Sequence, residues 1–202
     1  MRRPPLGATV FVLVAVAAMI GLGMWQLHRR AWKEALIARY VAASAQTGVV
    51  ALTGTDIPDF AAYRRVLWDC PEPGADQVVA GRNAQGRSGW AHVVVCSHGT
   101  GAEATHVPVV IGWSFAVVPV IWPGGGIAGI AVPGPKAGVF VPGRDGRALD
   151  WHIVAEPPLG GLEANARPNP REIANNHWSY AIQWFAFAAT ALIIYLLALR
   201  RR

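Results

Sequence analysis

The chain has 202 residues, of which 53% are hydrophobic and 15% charged, with a formal net charge of +6. That length suits one domain with a real core, or a smaller domain with membrane segments, and the composition is too apolar for an ordinary soluble protein. The basicity does not point to nucleic acid: Arg2, Arg3, Arg200, Arg201 and Arg202 sit at the ends, while between residues 28 and 177 thirteen basic residues nearly balance twelve acidic ones, a topology signal rather than a binding patch.

Residues 6–27, LGATVFVLVAVAAMIGLGMWQL, carry no charge over 22 positions. As a helix that run rises about 33 Å, against a hydrocarbon core of about 30 Å, so it predicts a first transmembrane helix. Arg2 and Arg3 would also serve a secretory signal. However, Ala15 and Ala17 lie inside the run, where a cleavage site would be badly placed, and the run continues through Met24, Trp25 and Leu27. The expectation is an uncleaved anchor. From Leu27 the spacing of Trp32, Leu36 and Tyr40 predicts that the helix continues as an extension over residues 28–47, packing that face on the domain below.

Beyond Thr47 the texture changes. Val-rich pieces such as DQVVAG, WAHVVVCSH and HVPVVIGWSFAVVPVIW alternate with Gly and Pro, which total 22 and 15 in the chain. These predict short strands in a β-rich domain over residues 48–174, an antiparallel barrel or sandwich. The glycine-rich stretch WPGGGIAGIAVPGPKAG, residues 122–138, fails as a phosphate-binding loop because no Gly-Lys-Ser/Thr follows; it reads as a turn or flexible hairpin tip. Residues 178–199, WSYAIQWFAFAATALIIYLLAL, form a second uncharged run of 22 and predict a second transmembrane helix within residues 175–202. Two spans place both termini on one side. Arg29, Arg30, Lys33 and Arg39 rival Arg2 and Arg3 after the first span, and the terminal arginine triplet tips the balance toward cytoplasmic termini and an extracytoplasmic central domain.

Little in the middle of the chain signals chemistry. Cys70 and Cys96 are the only cysteines; they can pair as one disulfide if the domain lies outside the cytoplasm, and they make no zinc or redox motif. There is no Gly-x-Ser-x-Gly, and His92, His98, His106 and His152 lack metal-ligand spacing, so they read as strand or surface residues. His177 stands apart at the mouth of the second span, behind Asn175 and Asn176, which suit a helix start. Tyr180 and Trp184 follow at i+3 and i+7, giving one face an imidazole, a phenol and an indole. That face is either an interfacial aromatic belt or an axial haem ligand with aromatic walls, for which Arg29, Arg30 or Lys33 would pair with propionates.

Two motifs add a resemblance. GLGMWQLHRRAWKEALI places Gly23, Trp25, Gln26, Arg29, Trp32, Lys33, Leu36 and Ile37 in a Gly-x-Trp-Gln-x-x-Arg-x-x-Trp-Lys-x-x-Leu-Ile pattern. PNPREIANNHWSYAIQWFAFA places Asn176, His177, Tyr180, Ala181, Trp184 and Phe185 in Asn-His-x-x-Tyr-Ala-x-x-Trp-Phe. With two helices around a β-rich domain, these resemble the Surfeit-locus (Surf/Shy) family of cytochrome c oxidase assembly factors. Tyr63, Arg64 and Val66 are similar to a further family stretch, but VVIGWSF has Ile111 where the family usually has arginine. The resemblance implies a chaperone, not an enzyme, in the bacterial inner membrane. It implies transient haem a binding, with His177 as the iron ligand and Tyr180, Trp184, Trp25, Gln26 and Arg29 around it. The implied partners are the oxidase catalytic subunit and the lipid bilayer, and haem a synthase is admitted as a further one. The rival expectation is a scaffold that grips the oxidase subunit without a cofactor.

Overall fold

A computed structural model describes residues 5–53, 57–98, 105–134, 138–139 and 151–201. Arg2, Arg3, Arg202 and residues 135–137 of the glycine-rich stretch lie outside the described residues. The chain divides into two compact units. One takes both ends, residues 1–38 and 172–202, and the other takes residues 39–171.

The first unit contains α1 (Leu6–Ser44) through Ala38, and α2 (His177–Arg200). Both helices are long and apolar enough to cross a membrane, yet only 11% and 6% of their most apolar windows are buried inside the protein. A soluble core helix would be covered by its neighbours. These side chains have lipid as their solvent instead, and the protein is a membrane protein with two terminal spans. At 39 residues α1 is about 58 Å long, well beyond one hydrocarbon thickness, and it runs unbroken to Ser44, short of the expected end at residue 47. In the second unit Tyr40, in the last turns of that helix, meets the ring of Tyr63 at 5.1 Å.

The second unit is built on one mixed sheet. Its strands are β1 (Val50–Ala51), β2 (Arg65–Cys70), β3 (Glu72–Pro73), β4 (Gln77–Arg82), β5 (Ser88–His98), β6 (Thr105–Ser114), β7 (Gly125–Pro133) and β8 (Trp151–Ala155). The order is β1-β2-β7-β8-β6-β5-β3, with β4 also on β5. The expected β-rich domain between two helices is therefore present, but it is not wholly antiparallel: β1 joins β2, and β6 joins β8, in parallel.

The glycine-rich expectation is overturned. Residues 125–133 are no hairpin tip but β7, hydrogen-bonded to β2 on one side and β8 on the other. Ile127, Ile130 and Val132 supply buried apolar side chains among the small residues. Glycine is required here by proximity, since a Cβ on Gly129 would lie 2.6 Å from the Val154 carbonyl oxygen. A tight strand pair and a flexible turn thus leave the same composition.

Alternation builds the core. β2 buries Val66, Trp68 and Cys70, which meet Val94 and Cys96 of β5 and Val107, Val109 and Ile111 of β6. Three strands separate β2 from β5 in the sheet order; a flat sheet would hold them about 19 Å apart at the usual strand spacing. Cys70 and Cys96 nevertheless form a disulfide with their Cα atoms 5.4 Å apart. The sheet must curl to bring them together, and the bridge fastens the curl. Closing that loop stabilises the folded state by about 3.5 kcal/mol on the chain-entropy account.

Candidate functional site

Within the first unit α1 and α2 run antiparallel. Thr9 Oγ1 hydrogen-bonds with the Tyr195 hydroxyl, Gly23 lies against Phe185, Gln26 meets His177, and the Arg30 guanidinium lies 4.9 Å from the Trp178 ring centre. The seam is made of small residues. Gly23 is the buried residue of α1, and Ala181 and Ala188 those of α2. A Cβ on Gly23 would sit 2.5 Å from a Phe185 ring carbon, so only glycine admits this approach. Small residues let helices close where no hydrophobic drive pulls them together.

His177 is the first residue of α2. Asn176 occupies the capping position but makes no side-chain cap bond, and the Asn175 Oδ1 is buried without a partner, so the asparagines do not cap as their residue types suggested. The imidazole is held from the other helix instead: His177 Nδ1 lies 2.7 Å from Gln26 Oε1. An amide oxygen only accepts, so Nδ1 carries the proton and donates. Nε2 is then left with its lone pair. Second-sphere bonds of this kind fix the tautomer of metal-ligating histidines.

The other expected site residues are placed more loosely. Tyr180 is 50% exposed and Trp25 57% exposed, while the partly buried Trp184 packs edge-on to Phe187 at 6.1 Å. Arg29 stacks on Trp32, its guanidinium 4.1 Å from the ring centre, and turns along its own helix. Arg30 makes the cross-helix contact, and is also bonded to Glu34 Oε1 at 2.7 Å. Among the described residues neither Arg29 nor Lys33 pairs with a carboxylate. So the structure joins His177 to Gln26 by a hydrogen bond and shows no such bond from His177 to Tyr180, Trp184, Trp25 or Arg29 among the described residues. Sequence reasoning passed over Trp178 and His28. The latter's Nδ1 bonds the Met24 carbonyl oxygen at 2.8 Å, a back-bond one helical turn away that its i−4 spacing could have suggested.

A family model described as the SURF1 family matches residues 13–189. The chain belongs to the SURF1 family. Comparison with curated proteins finds no match. Membership gives the chain a role in cytochrome c oxidase assembly, in a family of assembly factors. The matched range includes α1 from Leu13 and α2 as far as Ala189, so it takes in both helices of the seam.

A second polar cluster in this SURF1-family chain went unseen in the sequence. His92, expected as a strand or surface residue, is on β5 and fully buried. Its Nδ1 lies 2.7 Å from Asp76 Oδ2 and its Nε2 2.7 Å from Ser114 Oγ. These are the two contacts of an acid–base–nucleophile relay. But the Ser114 hydroxyl also donates to the Ala116 carbonyl oxygen, and a hydroxyl has one proton. Nε2 must therefore be the donor toward Ser114, and in that state it does not act as a base on it. No local spacing announces this cluster, because β4–β5 and β5–β6 pairing assembles it from three distant segments. His106 bonds Ser97 Oγ at 3.0 Å, His152 bonds the Gly134 carbonyl oxygen at 2.9 Å, and no metal-binding group occurs among the described residues.

Proposed function

We propose that this chain is a haem a chaperone for cytochrome c oxidase assembly, with His177 as the residue that would hold the haem iron. The observation that carries the reading is the Nδ1–Gln26 bond, which orients the ring and leaves the lone pair on Nε2. The donor set fits the group: a neutral imidazole for iron, rings at Trp25, Tyr180 and Trp184 for a macrocycle, and Arg29 with Lys33 for propionates. Haem, when bound, supplies the iron that takes the imidazole lone pair. The chain's own part is to orient that ring, offer an apolar passage along lipid-exposed helices, and present cations where the spans end. None of this requires a covalent bond to be made, so the role is a chaperone's and not an enzyme's; the hydrogen-bond direction at Ser114 also speaks against a hydrolase.

The recipient in this reading is the oxidase catalytic subunit, with haem a synthase as the natural donor. The location is the bacterial inner membrane, with both termini cytoplasmic and the sheet domain periplasmic. A disulfide in that domain agrees with an oxidising compartment. The test is the absorbance spectrum of protein purified from cells that make haem a. Wild type should carry haem, and His177→Ala should lose about nine-tenths of it or more. Equal haem in both would end the assignment of His177. Half-exposed Trp25 and Trp178 favour one alternative, a gripping scaffold with no cofactor, for which the mark is a crosslink to the oxidase subunit without any haem band.

A further inference from the structure

We propose that the loop joining β6 to β7, residues 115–124, dips into the surface of the bilayer, held in an outward pose by the buried His92–Asp76 pair. The proposal goes beyond the haem reading and does not depend on it. Phe115 is 75% exposed and Ile121 94%, with half-exposed Val117 and Val118 between them. A lone exposed apolar residue is ordinary, but a run of them on one loop marks a surface that meets protein or membrane.

The two feet of the loop end on one polar pair. At its start, the Ser114 hydroxyl lies 2.7 Å from His92 Nε2 and donates to the Ala116 carbonyl oxygen; further on, the Val120 N–H donates to Asp76 Oδ2 at 3.3 Å. His92 Nδ1 and Asp76 Oδ2 are themselves 2.7 Å apart, and both side chains are buried. Gly160 closes on the same foot, where a Cβ would lie 2.7 Å from Val120 Cγ1. Behind the loop lies a cavity of about 520 Å3, with Val78 and Val94 on the sheet side and Val117, Val120 and Ile121 on the loop side. In water, apolar side chains beside such a space are drawn into it; Ile121 is instead left outside. Polar groups are buried here to fix a backbone that points apolar side chains away from the domain, which is favourable where the outside is itself apolar.

Two observations name lipid as the occupant in place of a protein. Residues 107–135 carry no charge, so neither the loop nor the strand ends beside it offer the arginine anchors and polar groups that mark protein interfaces. Aliphatic tips between two aromatic rings suit the bilayer boundary: Phe115 opens the loop, and half-buried Trp122 stands near its end. Lipid is also the surface to which the domain is already tied. α1 and α2 are spans, and only residues 173–176 separate the turn Pro170–Glu172 from α2. Tethering makes insertion an intramolecular step, so four apolar side chains are enough where a free domain would need a larger surface.

The experiment places a nitroxide on Val118→Cys in full-length protein in phosphatidylcholine nanodiscs, with the Cys70–Cys96 bridge intact. Collisions with oxygen, which concentrates in lipid, are compared with collisions with a water-soluble nickel chelate. The label should favour oxygen, as a label on Leu192→Cys in α2 does, and unlike free label in buffer. Adding Ile121→Asp should lower the ratio of lipid-exposed to water-exposed label about tenfold, the loss of one apolar side chain's burial. Ser114→Ala frees one foot and leaves every outward side chain in place; it should lower the same ratio about fivefold, as for one lost hydrogen bond. Retention of the bridge on a non-reducing gel checks that the variants fold, and if Ser114→Ala does not, Ile121→Asp decides. A label that meets only the nickel chelate, or a ratio unmoved by either variant, would overturn the proposal. So would a label that is in water in the bare nanodisc and becomes shielded from both reagents when the oxidase catalytic subunit is added, since the loop would then be a protein-docking surface.

Discussion

The helix pair and the sheet domain are held together by opposite means. The sheet domain excludes water from a packed interior, with Val66, Val93, Val109, Ile111 and Ile153 all fully buried, and a disulfide across it. The helix pair has almost no interior; it touches along Gly23, Ala181 and Ala188 and leaves most of its apolar surface to lipid. Side chains in the first region are spent on packing. Side chains in the second are left exposed, and the proposed haem site draws on them while the middle carries stability. Substitutions that break one region should spare the other, and that separation is what experiment can test.

The largest effect is expected where a charge enters the packed region. Ile111 is fully buried in the core beside Val109 and Trp113. Ile111→Arg should cost about 4 kcal/mol or more, because the core cluster that holds Ile111 contains no acid to receive it. Denaturant titration followed by protease resistance of the sheet domain would measure it, and mild behaviour would show that the strand tolerates a buried cation. Next comes the bridge. Replacing Cys70 and Cys96 together by Ser should lower the domain's stability by about 3.5 kcal/mol, while the haem content assigned to the helix pair stays unchanged under conditions where the domain remains folded. Smaller again is Gly23→Leu. The side chain would collide with Phe185 and push the helices apart at a cost of about 1–3 kcal/mol. Spin labels at positions 13 and 192 would report the separation, and the sheet domain's unfolding midpoint should not move.

The same contrast explains what could be read in the sequence. Both spans were legible because lipid imposes a long uncharged run, and nothing in the tertiary structure can disguise one. His177 and Gln26 were legible as members of motifs. Their pairing was not, since residues 151 positions apart meet only once the helices lie antiparallel. β7 was misread because glycine near a neighbouring strand and glycine in a turn look alike until Gly129 is seen against Val154. The parallel pairs β1–β2 and β6–β8 and the Asp76–His92–Ser114 relay were invisible for a further reason: each depends on strand register, which no local periodicity encodes.

The finest test addresses that cross-helix bond. Gln26→Leu keeps a side chain of similar reach but removes the acceptor, so the His177 ring loses about 1 kcal/mol of orientation. Stability should barely change in either region, which makes this a functional probe and not a folding one. Nitrogen NMR of labelled His177 should move from a predominant Nδ1–H tautomer to a nearly even mixture with Nε2–H, because nothing then selects between them. A variant with Nε2 protonated part of the time has its lone pair on the ring nitrogen that faced Gln26, so haem content should fall in proportion to the lost tautomer, by a little under about twofold for a bias of this size. Gln26→Glu supplies a stronger acceptor at the same place and should restore the Nδ1–H form. A tautomer ratio unmoved by Gln26→Leu would mean that the ring is oriented by its own helix, and that the contact between the two spans is packing alone.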